Sequence, residues 1–486
     1  MILRSIFSMA GLNVLKGAVA IGMSVAVAAT VPPEEFGLVA FATPLVALIA
    51  LVTDLGLTAA IVRRDVLGPH EAGTVVLFVD LAGAALALAL AALAAPIESV
   101  ARLDGLAWVL VCFSAVAFTS IAATIRRGLL ERRMAYGTIA RVEGVSIALG
   151  LAAFGIAAFW RSGIYAIVAY QLAMNVVRLA VFNHLVRGEY RYSVRVRNSA
   201  DLFATGGTLF VANAFNFAAR NLDRILIGSV IGSTGLGLYA VGYQFMTMPL
   251  VLLAWPATGI VLSALSRLGP DPAGRRQLVE AVLTLVAAAT FPTMTYLAAA
   301  SHWPIEQVYS TRWAGLSDVV MWLAPLGALQ SIAVFNGAVL VNAGKLGLNL
   351  AFGIINGAVI TLGFVASVRY GLQATILTYC ATGAAGSLLA LYLTCREAGI
   401  SAAGLGRVIL PGLASSLAGL AAAAVVGLAP ASWSAWGAMT AAYGLAGIVT
   451  LALFHRLVRT AITSTLQSST AVRERMTTLQ TQPGPA

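Results

Sequence analysis

The sequence predicts an all-α polytopic membrane protein with about 14 transmembrane helices, arranged as two six-helix lobes around a central cavity plus two extra C-terminal helices. Three observations favour this fold class. Apolar runs of about 20 residues recur along the chain, and only 10% of its 486 residues are charged, against about 25% in a typical soluble domain. Basic residues collect in alternate loops, and the first hairpin is repeated in the second half of the chain. Because the runs are continuous rather than alternating, a transmembrane β-barrel is excluded.

Fourteen apolar segments are long enough to cross a bilayer as helices, since about 20 residues at about 1.5 Å each span its hydrocarbon core. Polar residues interrupt the first segment, so we interpret it as a retained membrane helix rather than a signal peptide. The segments are approximately 10–31, 36–61, 74–96, 106–125, 138–159, 163–182, 204–231, 236–265, 279–300, 317–341, 347–366, 371–394, 408–428 and 434–455.

The basic residues of the loops give a predicted orientation. With a cytoplasmic N-terminus and alternating loops, 24 of the 30 Lys and Arg residues fall on the inner side or just inside it, and four fall on the outer side. An excess of Lys and Arg in cytoplasmic loops is typical of membrane proteins. We therefore expect a multi-pass membrane protein with both termini in the cytoplasm.

Two polar stretches lie outside the predicted helices, one near the middle of the chain and one at its C-terminal end. The basic connection near the middle of the chain is interpreted as a topology signal, with contact to anionic membrane lipids as the alternative. The tail, rich in Ser, Thr and Gln, is expected to be disordered. The predicted organisation is an N-terminal lobe at 1–183, a basic cytoplasmic linker at 184–203, a C-terminal lobe at 204–395, two further helices at 396–456 and a cytoplasmic tail at 457–486.

An internal repeat becomes visible when position n of the chain is compared with position n + 200 without gaps. The residues FGLVA at 36–40 then fall on LGLYA at 236–240, Asn13 falls on Asn213, and Lys16 falls on Asn216. In each copy a short turn joins two predicted spans. Both of these turns follow odd-numbered spans in the series above, so the two copies run in the same direction. Parallel repeats of this kind are one transporter plan, with the substrate site between the halves.

The most polar of the apolar segments lies within 206–245. On a helix Asn213, Asn216, Arg220 and Arg224 lie on one face, and Asp223 lies beside them. A charged residue costs about 2.5–3.5 kcal/mol at bilayer depth, so three would cost roughly 8–10 kcal/mol against lipid. We therefore predict that this face lines protein or water. Asp223 either pairs with Arg220 in a structural ion pair or titrates during transport.

Three other polar residues in the spans each have a functional and a structural interpretation. Lys16 either extends a cationic site or snorkels to the inner interface. Asp54 and Asp80 are candidates for ion coupling, with helix capping or pairing to Arg63 or Arg64 as the alternative.

The sequence offers no catalytic or nucleic-acid-binding pattern. It has no phosphate-binding glycine loop, nucleophile elbow or His/Cys/carboxylate cluster with metal spacing, so we expect a protein that is not an enzyme and has no metal or cofactor. The net charge of +11 is spread over short loops rather than gathered on one face, which argues against a nucleic-acid partner.

Two stretches resemble signatures of a known family. One is VPPEEFGLVAFATPLVALIALVTDLGLTAAIVRRD at 31–65, a Pro/Glu turn and Phe-Gly followed by a helix that ends on Asp-Leu-Gly. The other is NLDRILIGSVIGSTGLGLYAVGYQFMTMP at 221–249, in which Asn-x-Asp precedes an apolar run, a Gly turn and Leu-Gly-x-Tyr. The chain thus resembles the polysaccharide transport (Wzx-type oligosaccharide flippase) family of the multidrug/oligosaccharidyl-lipid/polysaccharide (MOP) flippase superfamily.

The resemblance implies a substrate and a site. It implies that alternating access moves polyprenyl-diphosphate-linked oligosaccharide from the inner to the outer leaflet of the bacterial inner membrane, in exopolysaccharide, capsule or lipopolysaccharide assembly. Family cavities carry cations for the diphosphate, and the matching candidates here are Lys16, Arg220 and Arg224, with Asn213 and Asn216 on the same faces. Candidate protein partners are a polysaccharide polymerase and a chain-length regulator. The alternatives are a multidrug/cation antiporter of the same superfamily, which favours acidic cavity residues such as Asp54, Asp80 and Asp223, and an accessory membrane protein of polysaccharide assembly.

Overall fold

The structure is a computed structural model that describes residues 30–64, 66–160, 163–194, 221–269, 271–309, 311–427 and 432–454, with single residues between 19 and 27 and at 217. Within these ranges every regular element is helical and no strand occurs. Twelve of the described helices are long and apolar enough to cross a membrane. They coincide with twelve of the fourteen predicted spans. The other two, at 10–31 and 204–231, fall largely outside the described residues, so the total of fourteen stays a prediction.

The chain divides into two compact units, Met1–Ala240 and Val241–Ala486. The predicted lobes instead end at 183 and begin at 204, and much of the chain between those positions and 220 lies outside the described residues, so these boundaries stay a prediction. The described helices of the first unit are α1 (Pro33–Asp54), α2 (Leu57–Arg63), α3 (Pro69–Ala92), α4 (Ala94–Ala101), α5 (Leu106–Arg132), α6 (Tyr136–Trp160), α7 (Ile164–Val186) and the start of α8 (Ser233–Pro249).

The second unit continues α8 through a π-helical turn at Leu250–Ala254. Its further helices are α9 (Trp255–Leu268), α10 (Pro272–Ala300), α11 (His302–Tyr309), α12 (Leu316–Ala333), α13 (Asn336–Asn342), α14 (Leu346–Ser367), α15 (Leu372–Ala398), α16 (Ala402–Val426) and α17 (Trp433–Leu453).

Local sequence explains where several helices begin. In α1 an extended Pro32 precedes Pro33 at the first helical position, and two glutamates in the first turn face the positive end of the helix dipole. In α10 the Asp271 side chain accepts a hydrogen bond from the Ala273 backbone N–H at 3.0 Å. Such a cap satisfies one of the donors that a helix start leaves without an intrahelical partner.

One helix is central to the packing of each unit. In the first unit α5 packs against α1, α3 and α7, and its buried face is built from residues such as Leu110, Phe113 and Ile121. In the second unit α10 packs against α12, α16 and α17. These apolar faces form the protein interior, and the remaining apolar faces are the surface that a bilayer would cover.

Two helices of the first unit begin at the same offset from their counterparts in the second unit. Helix α5 begins at Leu106 and α12 at Leu316, and the starts of α6 and α14 are separated by the same length of chain. The connections repeat as well, because Gly105 (φ 83°) precedes α5 as Gly315 (φ 88°) precedes α12. The pairs α3–α5, α5–α7 and α6–α7 correspond to α10–α12, α12–α15 and α14–α15, and all six are packed pairs. The repeat therefore extends well beyond the two motifs that indicated it in the sequence.

The turn that ends the repeated helix has the same backbone geometry in both units. Met134 (φ 56°) adopts a left-handed conformation, and Ala135 N–H donates to the Leu130 carbonyl at 3.0 Å. In the second unit Gly344 (φ 73°) is left-handed, and Lys345 N–H donates to the Leu340 carbonyl at 2.9 Å. This hydrogen-bond pattern is a Schellman-type helix end.

Candidate functional site

The predicted site residues fall into two groups. Lys16, Asn213, Asn216 and Arg220 lie outside the described residues, so their place in a binding site stays a prediction. The structure describes the other four, Asp54, Asp80, Asp223 and Arg224.

Asp223 lies on the helical segment 221–231, next to the half-buried Arg224. The hydroxyl of Tyr239 donates to Asp223 Oδ2 at 2.7 Å, and Tyr239 is completely buried. Tyr239 is the tyrosine of the Leu-Gly-x-Tyr motif. This motif was therefore the sequence feature from which the hydrogen-bond partner of Asp223 could have been predicted. The predicted partner of Asp223 was Arg220, and that pairing lies outside the described residues. A tyrosine hydroxyl is neutral, so the Tyr239 bond orients the Asp223 carboxyl group without compensating a charge on it.

Asp54 caps the break between α1 and α2. Its carboxylate accepts hydrogen bonds from the Gly56 N–H at 3.1 Å and the Thr58 N–H at 3.2 Å, and also from the Thr58 hydroxyl. Leu55 and Gly56 are both left-handed at this break. The π-helical turn Leu250–Ala254 interrupts the equivalent span of the second copy. Asp54 thus has a structural task in holding the break, and its role in ion coupling stays a prediction.

Asp80 forms a buried, bidentate ion pair with Arg126. The Nη1 and Nη2 atoms of Arg126 lie 2.9 and 2.8 Å from the two Asp80 oxygens, and the side chains of Arg126 and Asp80 are only 5% and 19% exposed. The structural alternative named for Asp80 was a helix cap or a pair with Arg63 or Arg64, whereas its described partner is Arg126, and its role in ion coupling stays a prediction. The predicted span ended at 125, one residue before Arg126, whereas the helix continues to Arg132 and Arg126 reaches α3 from its last two turns.

Arg126 also links the helices to the chain that follows α7. Its Nε donates to Asn183 Oδ1 at 2.9 Å, and the hydroxyl of Tyr190 donates to the same oxygen at 2.6 Å. The Tyr190 ring lies 5.8 Å from the guanidinium carbon, within reach of a cation–π contact.

The backbone of this segment is fixed as well. The Arg191 N–H donates to the Pro69 carbonyl at 2.9 Å. A Cβ added at Gly73 would lie 2.9 Å from the Tyr192 backbone nitrogen, so only glycine admits the segment here. The first part of the predicted linker is therefore fastened to the first unit.

Glu189 lies in the same segment, beyond the end of α7. Arg133 Nε lies 2.8 Å from its Oε2, and the Glu189 side chain is largely buried. Burial raises the pKa of Glu189, and the charges of Arg133 and Arg132 counteract only part of that effect.

A second buried charge cluster joins α5, α6 and α7. The Glu143 carboxylate is 1% exposed, accepts a hydrogen bond from Arg178 Nη2 and lies 3.6 Å from Arg127 Nη1. Arg178 Nη1 also donates to Asn175 Oδ1 at 3.2 Å. A hydropathy count along the sequence does not show that the side chains of Glu143, Arg127 and Arg178 converge.

The described charges therefore serve mainly to fasten helices together. Among the residues that the structure describes, no group of three or more His, Cys, Asp and Glu side chains could hold a metal ion. Twelve apolar helices, ten of which belong to two copies of one helical plan, with charged residues paired at helix depth, define a polytopic membrane protein with a transporter-type fold.

Comparison with known proteins identifies the family. The family model described as "Polysaccharide biosynthesis protein" matches residues 27–318, more than half of the chain, and the protein belongs to this family. This confirms the resemblance seen in the two sequence motifs.

Two curated relatives are similar over much of the chain. The teichuronic acid biosynthesis protein TuaB of Bacillus subtilis (strain 168) is 22% identical over 330 residues, which cover 67% of this chain and 68% of TuaB. The succinoglycan biosynthesis transport protein ExoT of Rhizobium meliloti (strain 1021) is 23% identical over 296 residues, 60% of this chain and 59% of ExoT. The match thus leaves about two fifths of ExoT uncovered.

Two solved structures share the fold. The lipid II flippase MurJ, in an inward closed conformation, has a TM-score of 0.69 at 13% identity, over 93% of this chain and 99% of that one. An inward-facing multidrug resistance MATE family transporter of the MOP superfamily has a TM-score of 0.57 at 16% identity, over 78% of this chain and 94% of that one. The protein therefore has the MOP-superfamily fold that its motifs predicted.

Proposed function

We propose that this protein is a flippase that moves polyprenyl-diphosphate-linked oligosaccharide units from the inner to the outer leaflet of the bacterial inner membrane by alternating access. The observation that carries the proposal is the combination of membership in a polysaccharide biosynthesis family with the fold of MOP-superfamily transporters. The names of TuaB and ExoT support it, because both refer to polysaccharide biosynthesis and one refers to transport.

The proposed substrate needs a positively charged site. A diphosphate that leaves the aqueous interface loses hydration, and fixed cations replace that solvation. In the proposed mechanism Lys16, Arg220 and Arg224 bind the diphosphate, and Asn213 and Asn216 donate hydrogen bonds beside them. No covalent chemistry is required.

A multidrug or cation antiporter is the competing function. It needs carboxylates that exchange an ion, and Asp54, Asp80 and Asp223 were the candidates. The cap formed by Asp54 and the Asp80–Arg126 pair count against this function, because both carboxylates already serve as structural acceptors. No described contact favours it over the flippase.

Reconstitution tests the proposal directly. Purified protein in liposomes should move a fluorescent polyprenyl-diphosphate-linked oligosaccharide to the outer leaflet, where an added glycosidase can reach it. Arg224→Ala should slow this movement, and Arg224→Lys should retain most of it because the charge is kept. The matched control is Arg276→Ala, which removes an arginine from a partly exposed i,i+4 ion pair in α10. Equal glycosidase access in protein-free and protein-containing liposomes contradicts the proposal.

A deletion strain gives the cellular counterpart. Lipid-linked units should accumulate on the cytoplasmic face, and export of the polysaccharide should stop. If the units still reach the outer leaflet at the normal rate in a strain with no second transporter of this family, the proposed function is wrong.

A further inference from the structure

The N-terminal ends of α1 and α8 touch through their backbones. A Cβ added at Gly37 would overlap the carbonyl oxygen of Ser233 and lie 2.6 Å from its carbonyl carbon. A Cβ added at Gly237 would overlap the carbonyl oxygen of Pro33 and lie 2.8 Å from its carbonyl carbon. All four residues belong to the Met1–Ala240 unit. Only glycine allows either approach.

This contact is reciprocal between the two copies of the repeat. Ser233 is the repeat equivalent of Pro33, and Gly237 is the repeat equivalent of Gly37. Each copy therefore places its glycine on the first helical residue of the other copy. A contact in which residue i meets j and the equivalent of j meets the equivalent of i is the mark of twofold symmetry. The sequence repeat is thus also a symmetric contact in space.

The contact is suited to opening and closing. Ser233-xxx-Gly237 has the four-residue spacing of small residues that lets membrane helices approach closely, and Pro33-xxx-Gly37 has the same spacing with proline in place of the first small residue. Glycine backbones at this distance interact through van der Waals and Cα–H···O contacts, which are weak individually. The glycines have no side chain that interdigitates with the partner helix. The helix ends can therefore separate without first withdrawing a side chain from a groove.

Buried side chains lie directly below the contact. Phe41, one turn further along α1, is 4% exposed, and a Cβ added at Gly228 would lie 2.6 Å from its ring. Ala40, which lies between Gly37 and Phe41, is 5% exposed. Helix ends in backbone contact above a buried aromatic ring leave no room for a hydrated sugar between them.

We propose that this reciprocal glycine contact is the outer closure of the transport route, and that it separates each time a substrate head group leaves. The proposal deepens the proposed function and rests on it, and it uses the predicted orientation, in which the turns before α1 and α8 face outwards. The contact itself is made by backbone atoms rather than by an ion pair, so its opening should be insensitive to ionic strength.

Cysteine accessibility tests the closure without any substrate assay. Cys112, Cys380 and Cys395 are first replaced by alanine, and Ala40→Cys is introduced as the reporter thiol. A membrane-impermeant maleimide is then added to the outer side of intact cells. Gly37→Ala with Gly237→Ala should raise the labelling rate about tenfold, equivalent to about 1.4 kcal/mol in favour of the open form. The same double variant should slow transport in the liposome assay.

Two variants serve as matched controls. Gly155→Ala changes a helical glycine whose added Cβ meets no atom within 4 Å, and Ser233→Ala changes a side chain while the contact uses the backbone. Neither should alter labelling. Unchanged labelling of the reporter thiol in the double glycine variant overturns the proposed closure. Faster labelling in the double glycine variant, combined with no movement of lipid-linked oligosaccharide by the protein with both glycines intact, retains the closure and rejects the proposed function.

A second measurement covers the case in which the double variant does not fold. The reporter protein, with both glycines intact, is labelled in liposomes with and without the lipid-linked oligosaccharide. Faster labelling of the reporter thiol during transport supports a contact that opens. Transport at the normal rate with the reporter thiol fully protected throughout shows a permanent contact and overturns the proposal.

Discussion

The Asp80–Arg126 pair allows a sharp test of whether a buried charge is structural or functional. Removal of one partner leaves the other charge buried, which costs about 3–5 kcal/mol, whereas replacement of both by apolar residues is often neutral. The side chains of Arg126 and Asp80 are 5% and 19% exposed, so solvent screens the pair only slightly. At about 2–4 °C per kcal/mol for a unit of this size, Arg126→Met or Asp80→Leu alone should lower the Tm by about 6–20 °C. The double variant should stay within about 4 °C of the wild type.

The assay is thermal unfolding of the purified protein in detergent, followed by transport of each variant that remains folded. Arg276→Met is the control, because its pair with Glu280 is 42% and 29% exposed and its loss should cost about 0.5 kcal/mol or less. If Asp80 is structural, the double variant regains stability and transport together. If the double variant is stable and transport is still abolished, Asp80 has a role in transport itself. Single variants no less stable than the control refute the reasoning about burial.

Two further predictions concern other carboxylates. Asp54→Ala removes the acceptor for Gly56 and Thr58 and should cost about 0.5–2 kcal/mol, whereas Asp54→Asn keeps one acceptor oxygen and should retain transport. A stable Asp54→Asn protein without transport would instead support ion coupling. Glu189 has a raised pKa in the folded protein, so it stabilises the fold below its ordinary pKa of about 4.5, and this contribution is lost as the pH rises through the folded value. Glu189→Gln should therefore be at least as stable as the wild type at pH 7, with a Tm advantage that grows between pH 4 and pH 7. An advantage that shrinks over this range contradicts the assignment.

Much of the helical architecture could be predicted because hydropathy is a local property of the chain. Twelve predicted spans coincide with described helices, and the FGLVA and LGLYA motifs located a repeat that the backbone extends to α15. The repeat was detectable because the offset between the copies is constant over the first hairpin. The offset is longer between Leu106, where α5 begins, and Leu316, where α12 begins, so an ungapped comparison no longer aligns the copies there.

The partners of the charged residues could not be predicted in the same way. Asp80 and Arg126 are 46 residues apart, and Glu143 and Arg178 are 35 residues apart, so no spacing rule connects them. Charge counting placed the arginines in loops because they lie towards the ends of their helices, where the hydropathy signal fades. A similar limit applies to the two glycines of the reciprocal glycine contact, Gly37 and Gly237. Their equivalence was visible in the sequence, whereas their reciprocal contact depends on how two distant helices cross.

The matching left-handed turns after α5 and α13 give the protein an internal consensus. Met134 occupies a conformation that costs a residue with a Cβ about 1 kcal/mol, and the second copy uses Gly344 at the same place. The two copies thus show two different residues, Met134 and Gly344, in the same backbone conformation at equivalent positions. Engineers who need a more stable form for experimental structure determination can take substitutions from one half of the chain and place them in the other, with Met134→Gly as the first choice.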